Sequence, residues 1–173
     1  EFETSIEMAS VAAADGTTVM LCTPHRKDVT ERSSVTRVRD LVAELDREVR
    51  VRGIGLELLV GMENHLDVDL PDEFENGRAL TMNGGRYALV EMPFFGRPNY
   101  VEDVLFRLQL QGVTPVLAHP ERIQAFQDAP DLLASFVERG MLSQITGGSV
   151  LGYFGRRVRR VTHSMLRRRL AHI

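Results

Sequence analysis

The sequence is poor in cysteine, in aromatic residues and in long apolar runs. Among its 173 residues there is one cysteine, Cys22, no tryptophan, and an aromatic share of 6%. A single cysteine excludes a disulfide framework and is typical of proteins from reducing compartments. No apolar run approaches the roughly 20 residues that cross a bilayer, and no basic-then-apolar leader opens the chain. We therefore expect a soluble cytoplasmic protein that does not insert into a membrane.

Acidic residues are absent from the segment 156–169, which contains seven arginines. Since the whole chain carries −3, the rest of the chain carries −10. A basic segment of this kind can bind nucleic acid or an anionic membrane. Its apolar residues recur at helical spacing, however, and no aromatic residue stands among the arginines to stack on bases. We interpret the segment as a helix with a solvated arginine face, buried through Val158, Val161, Met165 and Leu166.

Hydrophobic periodicity predicts strands that alternate with amphipathic helices. The predicted strands are 17–22, 54–60, 87–92, 114–118 and 141–146, and residues 170–173 look like the beginning of a sixth. The predicted helices are 4–14, 33–51, 100–111, 130–139 and the arginine-rich segment, while 66–86 reads as irregular. Thr4 and Glu7 predict a capping box for the first helix. This alternation predicts a single α/β domain with parallel strands over residues 1–173.

Residues of the metal-ligand type follow four successive predicted strands. His25 follows the first strand, Glu63 the second, Glu91 lies near the end of the third, and His119 follows the fourth. In parallel α/β folds, functional groups gather at the carboxyl ends of strands. Two imidazoles and two carboxylates suit Mn²⁺, Fe or Zn²⁺, and carboxylates can bridge ions in a multinuclear centre. For each residue taken singly, the alternative to a metal ligand is an ordinary structural or solvated side chain. This alternative fits Glu91 least, because Glu91 lies in an apolar run.

Arg122 lies three residues after His119, and two interpretations of it stay open. Its guanidinium can bind a phosphate through two parallel hydrogen bonds, or it can form a surface salt bridge with Glu121 or Asp128. Cys22 is not a phosphatase nucleophile, because Asp28 occupies the position where cysteine-dependent phosphatases need arginine. We expect Cys22 to be a buried strand residue.

Five short motifs occur in a characteristic order: Thr23-Pro24-His25, Gly61-Met62-Glu63, 90–94 (VEMPF), 118–122 (AHPER) and 145–149 (ITGGS). Their four metal-ligand-type residues are separated by 38, 28 and 28 positions. In this order they resemble the motifs of the bacterial PHP-type protein-tyrosine phosphatases of capsular and exopolysaccharide gene clusters. The resemblance covers nearly the whole chain.

The resemblance implies a distorted (β/α)7 barrel with a trinuclear metal centre, usually of manganese. It implies His25, Glu63, Glu91 and His119 as metal ligands and Arg122 as the group that holds the phosphoryl oxygens. The implied reaction removes phosphate from phosphotyrosine on a protein kinase that controls polysaccharide synthesis, without a covalent phosphoenzyme. Nucleic acid is not among the implied partners.

The sequence departs from this family at three places. The His-x-His and Asp-x-His strands of the family are not found, and residue 1 is Glu. We therefore expect an incomplete barrel, a fragment cut at both ends, with weakened metal binding and little activity. The third departure is Thr146-Gly147-Gly148, where the family usually has Asn-Ala-Gly. Alternatives are a small-molecule phosphatase of the same superfamily, such as one acting on histidinol phosphate, and a non-catalytic remnant or binding module.

Overall fold

The strands of the protein are short and all lie in parallel pairs. The structure, a computed structural model, describes the backbone of residues 1–173 and all side chains except those of residues 30–32. The strands are β1 (Val19–Cys22), β2 (Glu57–Val60), β3 (Glu63–His65), β4 (Tyr87–Glu91), β5 (Thr114–Ala118) and β6 (Leu142–Gln144). The helices are α1 (Phe2–Ala14), α2 (Arg26–Arg32), α3 (Val35–Val51), α4 (Leu70–Glu75), α5 (Val101–Leu110), α6 (Gln124–Asp128), α7 (Pro130–Glu138), α8 (Gly147–Leu151) and α9 (Gly155–Arg167). Two 3-10 turns occupy Met82–Gly84 and Pro120–Arg122.

The protein contains two parallel sheets, and the strands of both sheets run in the same direction. Strands β1 and β2 form the first sheet, and β3-β4-β5-β6 form the second in that order. The two are linked after β1, where the Glu63 amide donates to the Pro24 carbonyl at 3.0 Å and His25 pairs with Glu63 in an isolated parallel bridge. The carboxyl ends of the strands therefore meet at one edge, and the predicted α/β fold with parallel strands is confirmed. The seven-unit barrel stays a prediction.

The main core lies on one face of the second sheet, beneath α5 and α7. Val90 and Leu117 of the sheet pack with Leu105 and Phe136 of these helices, and all four are fully buried. The opposite face of the same strands buries Leu89, Val116 and Ala118 in a smaller cluster. Because both faces are covered, β4 and β5 are almost continuously apolar rather than alternating. A separate cluster under the first sheet packs Ile6 of α1 against Val49 of α3 and Leu58 of β2.

The predicted elements agree with the structure in type, but several details were wrong. Helix α1 begins at Phe2 without a side-chain cap, so Thr4 lies inside the helix and the capping box is absent from it. The segment 66–86 contains α4 and a 3-10 turn, and α2 was not predicted at all. Residues 170–173 form no strand, although the amides of His172 and Ile173 both donate to the Ser143 carbonyl beside β6.

Helix α9 has the predicted exposed arginine face and a narrower buried stripe than predicted. Thr162 and Met165 are buried, and Val161 packs against the main core. Leu166 is 41% exposed, so its assignment to the stripe was wrong. Within the described residues, no helix combines the length and the apolarity that crossing a membrane requires.

Candidate metal centre

The strand edge brings the four predicted ligand residues together. His25 directly precedes α2, Glu63 opens β3, Glu91 ends β4, and His119 follows β5. The register of the second sheet pairs Glu63 with Leu89 and His65 with Glu91, so these strands present their carboxyl ends side by side. The sequence predicted Glu63 after a strand, whereas Glu63 opens β3, which was not predicted. Parallel pairing nevertheless brings the four side chains to one edge.

The geometry of the four side chains is that of one compact cluster. His119 Nε2 lies 3.0 Å from Glu63 Oε1 and 3.2 Å from Glu91 Oε1, and His25 Nε2 lies 3.8 Å from Glu63 Oε2. His25, Glu63 and Glu91 each offer a ligand atom within 4.8 Å of the others. The side chains of Glu63, Glu91 and His119 are 15%, 14% and 10% exposed, whereas that of His25 is 60% exposed. The cluster is thus a partly buried site with one open side.

His119 is held in an unusual backbone conformation. Its φ of 34° and ψ of 52° place it in the left-handed region, which side-chain-bearing residues seldom occupy. Its amide donates to the Gln144 carbonyl at 2.8 Å, and its ring stacks on Phe94 with centroids 5.3 Å apart. Non-glycine residues in this region cost of order 1–3 kcal/mol and cluster at functional sites. The surrounding contacts therefore hold the imidazole towards the carboxylates at the expense of backbone strain.

The electrostatics of the cluster match a site for a cation. Burial opposes a charge on His119, but hydrogen bonds and the charges of Glu63 and Glu91 prevail and raise its pKa to about 9. The hydrogen bond from His119 lowers the pKa of Glu91 against the opposing effect of burial. A proton on His119 thus neutralises part of the carboxylate charge, which is what a metal ion would do instead. The mixed nitrogen and oxygen donors fit Mn²⁺, Fe or Zn²⁺.

Two neighbouring groups orient the cluster. His25 Nδ1 lies 3.6 Å from Asp28 Oδ2, and His65 Nδ1 lies 3.5 Å from Glu91 Oε2. Carboxylates that contact the second nitrogen of a histidine fix its tautomer and ring orientation. His65 thus supports Glu91, and Asp28 supports His25. These groups, with His25, Glu63 and Glu91, line a cleft of about 290 Å³.

A buried arginine behind the cluster was missed by sequence reasoning. Arg26 is 6% exposed, and its guanidinium contacts Asp67 at 2.5 Å and Glu73 at 3.3 Å. It also donates to the His65 carbonyl at 3.4 Å, so it ties the start of α2 to the segment that follows β3. Its position next to His25 is the only sequence signal, because the two carboxylates lie more than forty residues away in the chain.

Arg122 lies next to the cluster and contacts two aromatic rings. Its guanidinium carbon is 5.2 Å from the ring centre of Phe94 and 4.5 Å from that of Phe154. The alternative of a salt bridge with Glu121 or Asp128 was wrong for the described side chains. Asp128 pairs with Arg157, while Glu121 is fully buried and accepts hydrogen bonds from the Thr146 amide and the Ser149 hydroxyl.

The remaining cysteine and histidines lie outside the cluster. Cys22 is half-buried in β1, and burial raises the pKa of its thiol, which disfavours the nucleophilic thiolate. His172 Nδ1 accepts a hydrogen bond from the Ser143 amide, which is a structural role. His163 lies on α9, where its Nε2 atom is buried. These placements leave His25, Glu63, Glu91, His119 and Arg122 as the candidate functional residues.

A comparison with protein families matches the complete chain. The model of the family described as capsular polysaccharide synthesis, CpsB/CapC, covers residues 1–173. The chain belongs to the CpsB/CapC family. The predicted resemblance to the phosphatases of capsule gene clusters is thereby confirmed at the level of the family.

The named relatives of this member of the CpsB/CapC family include tyrosine-protein phosphatases. The tyrosine-protein phosphatase YwqE of Bacillus subtilis is 33% identical over 97% of this chain, and the putative tyrosine-protein phosphatase CapC of Staphylococcus aureus is 32% identical over the same share. This chain spans 66% of the length of each, slightly under two thirds. The tyrosine-protein phosphatase CpsB of Streptococcus pneumoniae is 22% identical over 99% of the chain.

A solved structure has the same fold. It comes from the crystal structures of YwqE from Bacillus subtilis and CpsB from Streptococcus pneumoniae, described there as unique metal-dependent tyrosine phosphatases. The match has a TM-score of 0.89 at 32% identity and covers all of this chain and 70% of that chain. The α/β architecture with parallel strands is thus shared with a metal-dependent enzyme of the family.

Proposed function

We propose that the protein is a metal-dependent protein-tyrosine phosphatase that acts in the cytoplasm on a phosphotyrosine-bearing protein kinase of capsule or exopolysaccharide synthesis. The observation that carries the proposal is the convergence of His25, Glu63, Glu91 and His119 at one strand edge. Membership of the CpsB/CapC family and 33% identity with a tyrosine phosphatase support the choice of substrate.

The metal in this proposal is Mn²⁺, with Fe or Zn²⁺ as alternatives, held by His25, Glu63, Glu91 and His119 in a multinuclear centre. When bound, such ions would lower the pKa of a coordinated water towards about 7 and so supply a nucleophile at neutral pH. His119 must give up the proton that it holds between Glu63 and Glu91 before it can act as a ligand. The described donor set supports this assignment through its mixture of imidazole and carboxylate groups.

Arg122 is proposed as the residue that binds the phosphoryl group. A guanidinium presents two parallel N–H donors that match two phosphate oxygens, and its charge offsets the negative charge that develops on them. The rings of Phe94 and Phe154 contact the guanidinium, with their centres 5.2 Å and 4.5 Å from its carbon. Phenolate is a fairly good leaving group, so phosphotyrosine needs no strong general acid. No covalent phosphoenzyme is required in this scheme.

Residues 1–173 are proposed to lie within one PHP-type phosphatase domain with a distorted (β/α)7 barrel. The parallel order of the described strands and the TM-score of 0.89 with a metal-dependent phosphatase support this assignment.

The proposed function is tested by metal binding and hydrolysis in parallel. Mn²⁺ is titrated into chelator-treated protein and followed by isothermal titration calorimetry, and phosphate release from a phosphotyrosyl peptide is then measured with and without the ion. We expect Glu63→Gln and Glu91→Gln to weaken Mn²⁺ binding and to abolish Mn²⁺-dependent release. Because weak turnover is expected of this chain, hydrolysis is measured also on a chain extended at both ends.

Glu102→Gln is the matched control, because Glu102 is a half-exposed carboxylate on α5 that pairs only with Arg97 and Arg139 among the described side chains. Equal Mn²⁺ affinity in Glu63→Gln, Glu91→Gln and Glu102→Gln would contradict the metal centre. Faster release from histidinol phosphate than from the phosphotyrosyl peptide would favour the small-molecule phosphatase instead.

A further inference from the structure

The guanidinium of Arg122 contacts two aromatic rings that come from different parts of the chain. Phe94 follows β4, and Phe154 directly precedes α9. The ring centres lie 5.2 Å and 4.5 Å from the guanidinium carbon. No carboxylate among the described side chains pairs with Arg122, so its charge is compensated by ring faces rather than by an anion. Such an arrangement leaves the in-plane N–H donors for a ligand.

The backbone around Phe154 is shaped by glycines. Gly152 and Gly155 flank the pair Tyr153-Phe154 and have φ of 93° and 91°, a region that glycine adopts without steric cost. Gly148 in α8 leaves room for the pair: a Cβ atom there would lie 3.3 Å from Phe154 Cε2 and 3.0 Å from Tyr153 Cδ2. The ring of Phe154 therefore packs closely on α8 and also contacts Arg122.

The buried carboxylate of Glu121 ties the same two segments together. Its Oε1 atom accepts from the Thr146 amide at 3.0 Å and from the Ser149 hydroxyl at 2.7 Å. Glu121 directly precedes Arg122, and Thr146 and Ser149 lie at the beginning of α8. The hydrogen bonds of Glu121 thus connect the segment that carries Arg122 to α8, the helix on which Phe154 packs. This connection fixes the distance between the Phe154 ring and the Arg122 guanidinium.

We propose that Phe154 is a positioning residue for phosphate binding, acting by holding the Arg122 guanidinium against its own ring and that of Phe94. The inference rests on the proposed function, because it assumes that Arg122 binds the phosphoryl group. Contact with two ring faces limits the rotation of the guanidinium, and less rotational freedom is then lost when phosphate binds. Phe94 also stacks on His119, so the plane of Arg122 is set relative to the candidate metal centre.

The test replaces Phe154 and measures phosphate binding separately from turnover. Inorganic phosphate is titrated into the Mn²⁺-loaded protein by calorimetry, and KM and kcat for a phosphotyrosyl peptide are measured alongside. We expect Phe154→Ala to weaken phosphate binding about threefold to tenfold, as the loss of a cation–π contact implies. Phe154→Tyr keeps the ring face and restores binding, whereas Phe154→Leu fills the volume without the ring and stays weak.

Two further variants separate positioning from mere packing. In an Arg122→Gln background, Phe154→Ala should add no further loss, because the ring acts only through the guanidinium. Gly148→Ala should reproduce the loss seen in Phe154→Ala, since its new methyl group displaces the ring. Phe106→Ala is the control, because Phe106 is a comparably exposed phenylalanine on α5, remote from these segments.

Additive losses in the double variant, or full phosphate affinity in Phe154→Leu, would overturn the inference. Absence of phosphate binding by the Mn²⁺-loaded parent protein would overturn it as well. If phosphate binding depends jointly on Phe154 and Arg122 but even the chain extended at both ends hydrolyses no phosphotyrosine, the positioning role stands and the proposed reaction is wrong. The two failures are therefore distinguishable.

Discussion

The strand edge and helix α9 both contain several charged side chains, but these are mostly buried at the strand edge and exposed on α9. At the strand edge, the side chains of Glu63, Glu91 and His119 are at least 85% buried, and His119 contacts the two carboxylates at 3.0 Å and 3.2 Å. On α9, the arginines lie on the surface, where Arg157 pairs with Asp128 and Arg168 pairs with Asp131. Buried charges interact strongly because little water screens them, whereas exposed pairs are worth little. Charge density alone therefore does not identify a site, and burial together with convergence does.

The largest expected effect on this comparison comes from His119. Asparagine tolerates the left-handed backbone conformation, but in His119→Asn the shorter side chain no longer reaches the two carboxylates. We expect Mn²⁺ affinity and Mn²⁺-dependent phosphatase activity to fall by more than about 100-fold, beyond the 10–100-fold typical of supporting residues. Calorimetry and phosphate release measure the two quantities. His163→Asn on α9 is the control, and an equal loss there would remove the distinction between the two regions.

The second test compares Arg26, which is buried, with Arg157, which is exposed. Arg26→Met leaves Asp67 without a guanidinium, whereas Glu73 keeps its pair with Arg78. We expect the free energy of unfolding to fall by about 3 kcal/mol. Arg157→Met breaks an exposed pair and should cost less than about 1 kcal/mol. Urea denaturation followed by circular dichroism gives both values. Equal losses would show that the Arg26 cluster is as well solvated as the surface pair.

The pH dependence of stability sharpens the comparison for the metal-free protein. The pKa of His119 is raised from 6.5 to about 9, because the neighbouring carboxylates outweigh the effect of burial. A raised pKa contributes stability that is complete below pH 6.5 and is lost as the pH rises through about 9. With about 1.4 kcal/mol for each pKa unit and coupling to Glu91, we expect a loss of about 2 kcal/mol over this window.

Denaturation at several pH values in the presence of chelator measures this loss. His119→Asn should flatten the curve between pH 6.5 and 9, because the titrating imidazole is gone. A parent protein whose stability rises over that window would contradict the assigned contacts.

The smallest effect is expected from the arginine face of α9. Arg159→Gln combined with Arg160→Gln removes two exposed charges, and we expect unfolding free energy to change by less than about 0.5 kcal/mol. Mn²⁺ affinity and kcat should equal those of the parent protein. A lower affinity for single-stranded DNA or anionic vesicles in the double variant, with steep salt dependence in the parent, would instead favour the binding-module alternative.

The strands and helices that the sequence predicted best are those whose local pattern has a single physical meaning. The apolar runs of β4 and β5 and the periodic faces of α3 and α5 predicted strands and helices close to the observed bounds. Sequence reasoning failed at Thr4, because the hydrogen-bonded turns of α1 extend to Phe2 and leave no role for a cap. It also missed α2 and α4, which are too short for their periodicity to be recognised.

The candidate site shows the same division. His25, Glu63, Glu91 and His119 were recognisable because each ends or follows a strand. Arg26 and Phe154 were not, since their roles depend on partners far away in the chain. The signal that could have drawn attention to Phe154 is its pair of flanking glycines, Gly152 and Gly155, which mark a backbone of special conformation.

The sequence by itself determined the α/β class and the residues at the strand ends, because hydrophobic periodicity and residue type are local properties of the chain. Only the tertiary structure decided which charges became a site. Parallel pairing buried Glu63, Glu91 and His119 in contact, whereas it left the more numerous arginines of α9 in water. The strength of an electrostatic interaction depends on distance and on solvent exposure, and neither quantity exists until the chain has folded.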